Sequence, residues 1–543
     1  MASISYRCNL SAKSFPLLAR NQSRTVIVPG NDQAYTRYGS VAERLRDVNT
    51  PQAYYMENVL PTLEGYKAVG YKTFTMSFAG GSGLPAGVYA LRVESIVVGG
   101  ILSGILEASN GTFYLINQGD ANTFFVSAVH TGDTVPNYRD DAVTYAQVNG
   151  DTYVLMYDGS VNTKFAIVTG ASMTDIIPTG LSLVDTKGIT ASNGYCIAYS
   201  DLAVAWSSLV DPTDFVPSLI TGAGGGSIQE INGRIKFCVP TSFGFIVFAE
   251  KNAVAATYTG NSRNPFKFTA IKGSGGGVSL NLVAKDYGAQ NVLAWTTKGF
   301  QQVGPVVAEN VFPELTEFVY TKYKETFDVT AATFTNSVST RRLGRLSYIS
   351  NRYVVYSFNN VSTSEDVIEF TNAFVFDKVL ERWGHVELNH VSVVNFFDYL
   401  LIGSGTPFYA LSTSFFNFAA PLFFVNSTGQ VYQFGDRYTD FSGGSSAIIL
   451  GKFQYVRAKR LCLDKVNIEN SGQTFDSTSI TCIDLPTQED ATNESPVSGT
   501  VFSSRSTFKV FHFNVDAIAH SLLITGGFNL TNVELEFHPT GNT

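Results

Sequence analysis

Two histidines, His385 and His390, lie close together in the segment WGHVELNH. A zinc protease needs His-Glu-x-x-His on a helix, so that histidines four apart share one face. Here they are five apart in a strand-like run, and an odd separation sends the side chains to opposite faces of a sheet. The other histidines, His130, His512, His520 and His538, are scattered, so no metal site is expected. Glycine-rich runs at 222–226 (GAGGG) and 273–277 (GSGGG) raise the question of phosphate binding. A phosphate loop runs into a helix N-terminus and carries a Lys-Ser/Thr pair. Neither run has that context, and both read as flexible connections between strands. Acyl transfer needs a nucleophile elbow, G-x-S-x-G, to which Gly81-Ser82-Gly83 and Gly403-Ser404-Gly405 do not extend. Glycoside cleavage needs only two carboxylates at a set separation. Asp158-Gly159 and Asp211-Pro212 read as turn residues. The expectation is no catalysis and no cofactor.

Basic residues cluster at Arg341, Arg342 and Arg345 (STRRLGRL) and at Arg457, Lys459 and Arg460 (YVRAKRLCLDK). On a strand Arg457 and Lys459 share a face that could meet an acidic partner or a phosphate backbone; a solvated face or a guarded sheet edge is the other reading. The chain as a whole is acidic, with net charge −8 over 543 residues, which disfavours stable nucleic-acid binding. Apolar residues make up 44% and aromatics 13%, enough to repay the entropy of ordering the chain and exclude disorder. The longest apolar stretch, at 96–106, contains three glycines and is too short to span a bilayer, so no membrane insertion is expected. Five cysteines (Cys8, Cys196, Cys238, Cys462, Cys482) are widely spaced with no C-x-x-C pair. They read as isolated buried thiols of a protein assembled in a reducing cytoplasm. The N-terminus shows no apolar signal core.

The elements that would hold these residues are strands. One helix is expected, at 40–48 (SVAERLRDV), with Ser40 as cap and Glu43 as its capping-box partner. Elsewhere short runs of β-branched and aromatic residues alternate with Gly, Asn and Asp, as at 112–117, 152–157, 245–249, 353–358 and 422–425. Trp206, Trp295 and Trp383 follow one another at 89 and 88 residues, close to twice the roughly 40–45 residues of a four-stranded propeller blade. They are expected to mark the repeat core. Asn-Gly pairs at Asn149, Asn193 and Asn232 recur on a similar interval and suit two-residue hairpins. The fold class is therefore all-β: a β-propeller of six to eight blades at 76–440, an irregular N-terminal segment at 1–75 and a small C-terminal β domain at 441–543. Residues 441–447 read as a linker and 484–498 as an exposed acidic loop.

The segments at 205–215 (AWSSLVDPTDF), 243–258 (FGFIVFAEKNAVAATY) and 374–391 (FVFDKVLERWGHVELNHV) resemble the propeller of phage tail-tube proteins. Those at 57–71, 451–469 and 520–537 resemble the same family's opening segment and closing β domain. This is the tail tubular protein B, tail nozzle or packaged-DNA stabilisation (hub) family of short-tailed bacteriophages. The resemblance implies a structural virion protein of the tail, without catalytic residues. It would form a homohexameric ring below a head-to-tail adaptor, carry DNA through its channel without specific binding, help retain and release the genome, and dock tail fibres or spikes. Abundant aromatics suit subunit interfaces, and an acidic lining lets DNA pass. The second reading is a carbohydrate-binding or glycan-cleaving propeller such as a tail spike, although S-x-D-x-G-x-T-W boxes of propeller sialidases are absent.

Overall fold

The computed structural model describes residues 4–8, 10, 15–16, 26–28, 53–78, 83–99, 101–118, 123–130, 143–157, 162–170, 172–285, 290–322, 327–328, 333–334, 344–349, 352–359, 369–394, 401–402, 406–407, 422–435, 446–455, 460–470, 478–485, 495–498, 500–505, 508–517 and 519–540. The expected helix at 40–48, Gly81-Ser82, Asp158-Gly159, Arg341, Arg342, Gly403-Ser404-Gly405, Arg457, Lys459 and most of 441–447 lie outside them. Within them the chain is nearly all-β, as the sequence predicts. No helix among the described residues is long and apolar enough to cross a membrane.

The chain divides into two compact units, 1–72 with 372–387 and 434–543, and 73–371 with 388–433. The N-terminal segment and the C-terminal domain, expected as separate bodies, thus belong to one unit. In it, one sheet contains Val59–Pro61, Tyr66–Ala68, Asn529–Thr540, Arg460–Asn470, Phe508–Ala517 and Thr500–Arg505 in that order. A second sheet centres on Ala447–Tyr455, Ala519–Thr525 and Ser479–Leu485. Their apolar faces mix in one core, with Leu463, Val466, Phe511 and Phe537 from the first and Ile448, Phe453, Ile480 and Leu522 from the second. The ends of the expected 484–498 loop are strands, since Asp484 pairs with Ser495 and Thr481 with Ser498. Arg382 is buried here and donates to the carbonyl oxygens of Leu10 (2.9 Å), Gly65 (3.2 Å), Leu63 (3.1 Å) and Thr62. Four carbonyl dipoles and the Tyr66 ring take the place of water around a cation that burial would otherwise penalise.

The second unit is a succession of antiparallel meanders in chain order. Sheet A has strands Ala90–Val98, Ile101–Ala108, Phe113–Gln118 and Thr123–His130; sheet B has Val143–Val148, Asp151–Met156, Lys164–Thr169 and Ser172–Ile176. Sheet C has Gly188–Ser192, Tyr195–Tyr199, Ala203–Trp206 and Gly224–Ser227; sheet D has Ile235–Thr241, Gly244–Ala249, Ala253–Tyr258 and Phe266–Ala270. Sheet E has Val283–Ala284, Val292–Thr296, Gly299–Val303 and Ala308–Asn310. Hairpin F (Arg345–Ile349, Tyr353–Phe358) and sheet G (Ser392–Val394, Leu422–Val425, Val431–Gly435) follow. From B to E the first strands begin 45, 47 and 48 residues apart.

Each sheet touches the next. Thr152 Oγ1 of sheet B accepts from the Val97 amide of A and donates to the Val97 carbonyl (3.2 and 2.6 Å). The Ile189 amide of C donates to Thr144 Oγ1 of B (2.8 Å). One apolar cluster runs from Tyr195 and Ile197 in C through Phe237 and Val247 in D to Val292 and Ala294 in E. Phe300 of E packs edge-on against Tyr356 of F. The last sheet also meets the first: Ser392 Oγ of G accepts from the Val93 amide of A (2.9 Å) and from Arg345 of F (2.7 Å). Strand Gly70–Phe78 pairs with Val431–Gly435 of G and, in parallel, with Thr123–His130 of A, so that G and A are continuous as one eight-stranded sheet.

The Asn-Gly pairs divide. Asn149-Gly150 and Asn193-Gly194 turn the first hairpins of B and C with positive φ at all four residues, as a two-residue hairpin requires. Asn232-Gly233 instead lies between sheets C and D, whose first hairpin turns between Thr241 and Gly244. The helix Pro313–Lys322 was not expected. Proline suits its first turn, where the amide has no intrahelical acceptor, and Leu315 and Val319, four apart, bury one face.

Candidate assembly surface

Between the third and fourth strands of sheet C, residues 207–223 leave the sheet. Trp206 closes the base of this excursion: its Nε1 donates to the Gly222 carbonyl (3.0 Å) and its ring lies over Gly224. Side chains with short oxygen arms then order the backbone. Ser208 Oγ accepts from the Val210 amide (3.1 Å), Asp211 Oδ1 from Thr213 (2.9 Å), Asp214 Oδ1 from Val216 (3.0 Å) and Ser218 Oγ from Ile220 (3.2 Å). These are successive Ser- and Asx-turns, each capturing the amide two residues on. Asp211 therefore acts as the turn residue the sequence predicts. The far side is clamped by residues 179–180: Phe215 donates its amide to the Thr179 carbonyl (2.8 Å), and Asp214 Oδ1 also accepts from Thr179 Oγ1 (3.0 Å).

What this frame presents is apolar. Of thirteen large hydrophobic side chains exposed among the described residues, eight fall between 177 and 220. Ile177 is 89% exposed, Val210 85% and Ile220 96%. Three of the four amides named above belong to, or lie in register with, such residues: Val210, Val216 and Ile220. Several aliphatic side chains held in water within one hydrogen-bonded excursion make it a candidate docking surface, since singly scattered exposed residues need no explanation. The hydroxyls of Ser208 and Ser218 and the carboxylates of Asp211 and Asp214 are engaged with its own backbone amides.

An ionic network joins the first two strands of sheet A to the first strands of sheets B, F and G. Arg92 donates through Nε to Glu107 (2.9 Å) and through Nη2 to the Val143 carbonyl (2.9 Å), and Tyr145 also donates to Glu107. Arg345 donates to Ser392 and to Glu94. Burial opposes charge on Glu94, but Arg345 and Arg92 outweigh it and hold the carboxyl below its usual range. Burial and Glu107 push the Tyr145 phenol well up. The network is neutralised internally and fastens strands together.

The residues singled out from the sequence are distributed as follows. Trp206 is half-buried on the third strand of C, Trp295 is fully buried on the second strand of E, and Trp383 is buried in the other unit. They are packing residues, but not equivalent ones, so their even spacing does not measure the repeat. Arg460 opens strand Arg460–Asn470. His385 bonds Asn372 (2.9 Å) and packs on Phe374, whereas His390 bonds Ser357 (2.7 Å) and packs on Phe424. The glycine runs are not flexible links. Gly224–Ser227 is itself a strand, kept side-chain-free by Trp206 and by the close approach of Val204 to Gly225. In the second run the amides of Gly275, Gly276 and Gly277 donate to Gln301, Thr297 and Ala249, so these three are not turned toward an anion. Burial pushes the thiols of Cys8, Cys196 and Cys238 up, which suits inert core cysteines. The exposed cluster at 177–220 escaped the sequence reading because aliphatic residues there look like any strand core. No protein-family model matches the sequence, and no curated protein matches it.

Proposed function

We propose that this chain is a structural, non-catalytic subunit of the tail of a short-tailed phage, a nozzle or tail-tube protein that assembles with copies of itself. In this reading sheets A to G are the blades of a seven-bladed propeller whose first strands surround a channel, and strand Gly70–Phe78 completes the last blade. The succession of meanders and the contact between the last sheet and the first support that arrangement. The observation that carries the functional reading is the ordered apolar excursion at 207–223, which presents Val210, Leu219 and Ile220 to a neighbour. Its occupant is another copy of the chain in a sixfold ring. The ring would continue the DNA path below a head-to-tail adaptor, help retain and release the genome, and carry fibres or spikes on its rim. The resemblance at 205–215, 243–258 and 374–391 points the same way.

Electron microscopy of purified virions labelled with antibody against this chain tests the reading. Label at the tip of a short tail, with sixfold averaging, is the expected result. Label on peripheral appendages would favour a glycan-binding spike, and absence of label from virions would overturn the proposal.

A further inference from the structure

His538, 76 residues beyond Cys462 in the chain, is set directly opposite it by pairing of strands Asn529–Thr540 and Arg460–Asn470. Asp464 follows two residues after Cys462, where the register of strand Arg460–Asn470 shifts against both of its neighbours. A bulge of this kind re-aims side chains and is over-represented at functional sites. Leu463, Phe513 and Phe537 point into the core of the unit, so their alternates Cys462, Asn514 and His538 occupy the opposite face. There the thiol, carboxylate and imidazole donor atoms all lie within 4.8 Å of one another. His538 Nδ1 donates to Asp464 Oδ2 at 2.6 Å, and Cys462 Sγ lies 3.9 Å from Asp464 Oδ1 and 3.5 Å from Asn514 Oδ1.

We infer that Cys462, Asp464 and His538 form a binding site for a thiophilic divalent cation, with zinc the fitting ion. Zinc bonds sulfur at about 2.3 Å and nitrogen or oxygen at about 2.0–2.2 Å in a tetrahedron, so its donors stand roughly 3–4 Å apart. The Cys462–Asp464 distance of 3.9 Å already suits such a tetrahedron, while the His538–Asp464 distance of 2.6 Å is that of a hydrogen bond, so uptake of the ion requires that side-chain torsions part the imidazole from the carboxylate. A thiolate selects against hard cations such as calcium and magnesium, and a mixed S, N, O set suits zinc. One thiolate and one carboxylate neutralise the ion. On uptake the thiol proton leaves to solvent, the imidazole proton moves from Nδ1 to Nε2, and the ion takes the place of the hydrogen bond between His538 and Asp464. Three protein ligands leave a fourth position, where Asn514 Oδ1 or a water completes the tetrahedron. Cys462 is buried, while the Asp464 and His538 side chains are each about one-third exposed, which gives the ion a path in.

Cobalt titration of the full-length, tag-free chain tests this, because a thiolate bound to cobalt gives a charge-transfer band that a carboxylate or imidazole alone does not. The expected result is saturation at one cobalt per chain, displacement by one equivalent of zinc, and loss of the band in Cys462→Ser. His538→Gln should abolish saturation. Asn514→Ala, which touches the sulfur, should weaken zinc about 10–100-fold. Circular dichroism confirms that each variant is folded. A folded wild-type chain with no saturable band, or a band that survives in Cys462→Ser, would overturn the inference and leave a plain His538–Asp464 hydrogen bond.

Discussion

Acid should loosen the second unit through a single imidazole. His390 is fully buried; its Nδ1 donates to the Leu388 carbonyl (2.7 Å), and its Nε2 accepts from the Ser357 hydroxyl (2.7 Å). Burial, reinforced by the Arg345 charge, pushes its pKa down to about 4. An unfolded histidine titrates near 6.5, so between these values the unfolded chain binds a proton that the folded chain refuses. Stability from this residue is therefore intact above about pH 6.5 and is lost as the pH falls toward 4. Between pH 7 and pH 5 the loss comes to about 2 kcal/mol, with a limiting slope of about 1.4 kcal/mol per pH unit. Urea titrations at pH 7, 6 and 5 in a Trp383→Phe background, with emission from Trp206 and Trp295, follow this unit alone. His390→Gln should lose about 2 kcal/mol less than its parent over that interval, whatever its stability at pH 7. Equal losses in the two proteins would refute the reasoning, because they would mean that a charged imidazole is tolerated at this position.

The apolar excursion makes a separate prediction: Val210→Ser with Ile220→Ser should abolish self-association in native mass spectrometry or sedimentation. The thermal stability of the monomer should shift by no more than about 0.5 kcal/mol, as for other exposed side chains. The glycine runs can be told apart by alanine. A Cβ at Gly276 would lie 1.9 Å from the Glu250 carbonyl oxygen, whereas one at Gly226 meets nothing within 4 Å. Gly276→Ala should therefore cost about 1–3 kcal/mol or more in chemical denaturation and Gly226→Ala close to nothing; equal effects would return the second run to a flexible link.

How much of this was legible depended on the range of the interactions. Strands and their hairpins are local, and Asn149-Gly150 and Asn193-Gly194 announce theirs because only a few residues accept positive φ. The helix Pro313–Lys322 was hidden by composition, since PELTEFVYTK is rich in residues that favour strands, and tertiary packing of Leu315 and Val319 decides its state. The tryptophans misled because equal spacing says nothing about which strand of a sheet each occupies. The exposure of Val210 and Ile220 could not be read from the sequence because composition cannot say which way a side chain faces. Cys462 and His538 were invisible as a pair because only strand pairing brings them together. Residues 1–75 looked like an independent arm because partners of its described strands Ile4–Arg7 and Tyr66–Ala68, such as Asn529–Thr540, come from the far end of the chain.

The hydrogen bond between the Val93 amide and Ser392 spans 299 residues. During synthesis, the first strand of sheet A emerges long before the serine that accepts from its Val93 amide. At about 5–20 residues per second the wait is about 15–60 s, much longer than a hairpin takes to form. Through that interval the edge of sheet A is open to pairing with any other nascent strand, including the same strand on a neighbouring ribosome of the polysome. Yield in cells should therefore depend on chaperone supply and slow translation more than on the stability of the finished molecule, and truncation just before residue 392 should give aggregates.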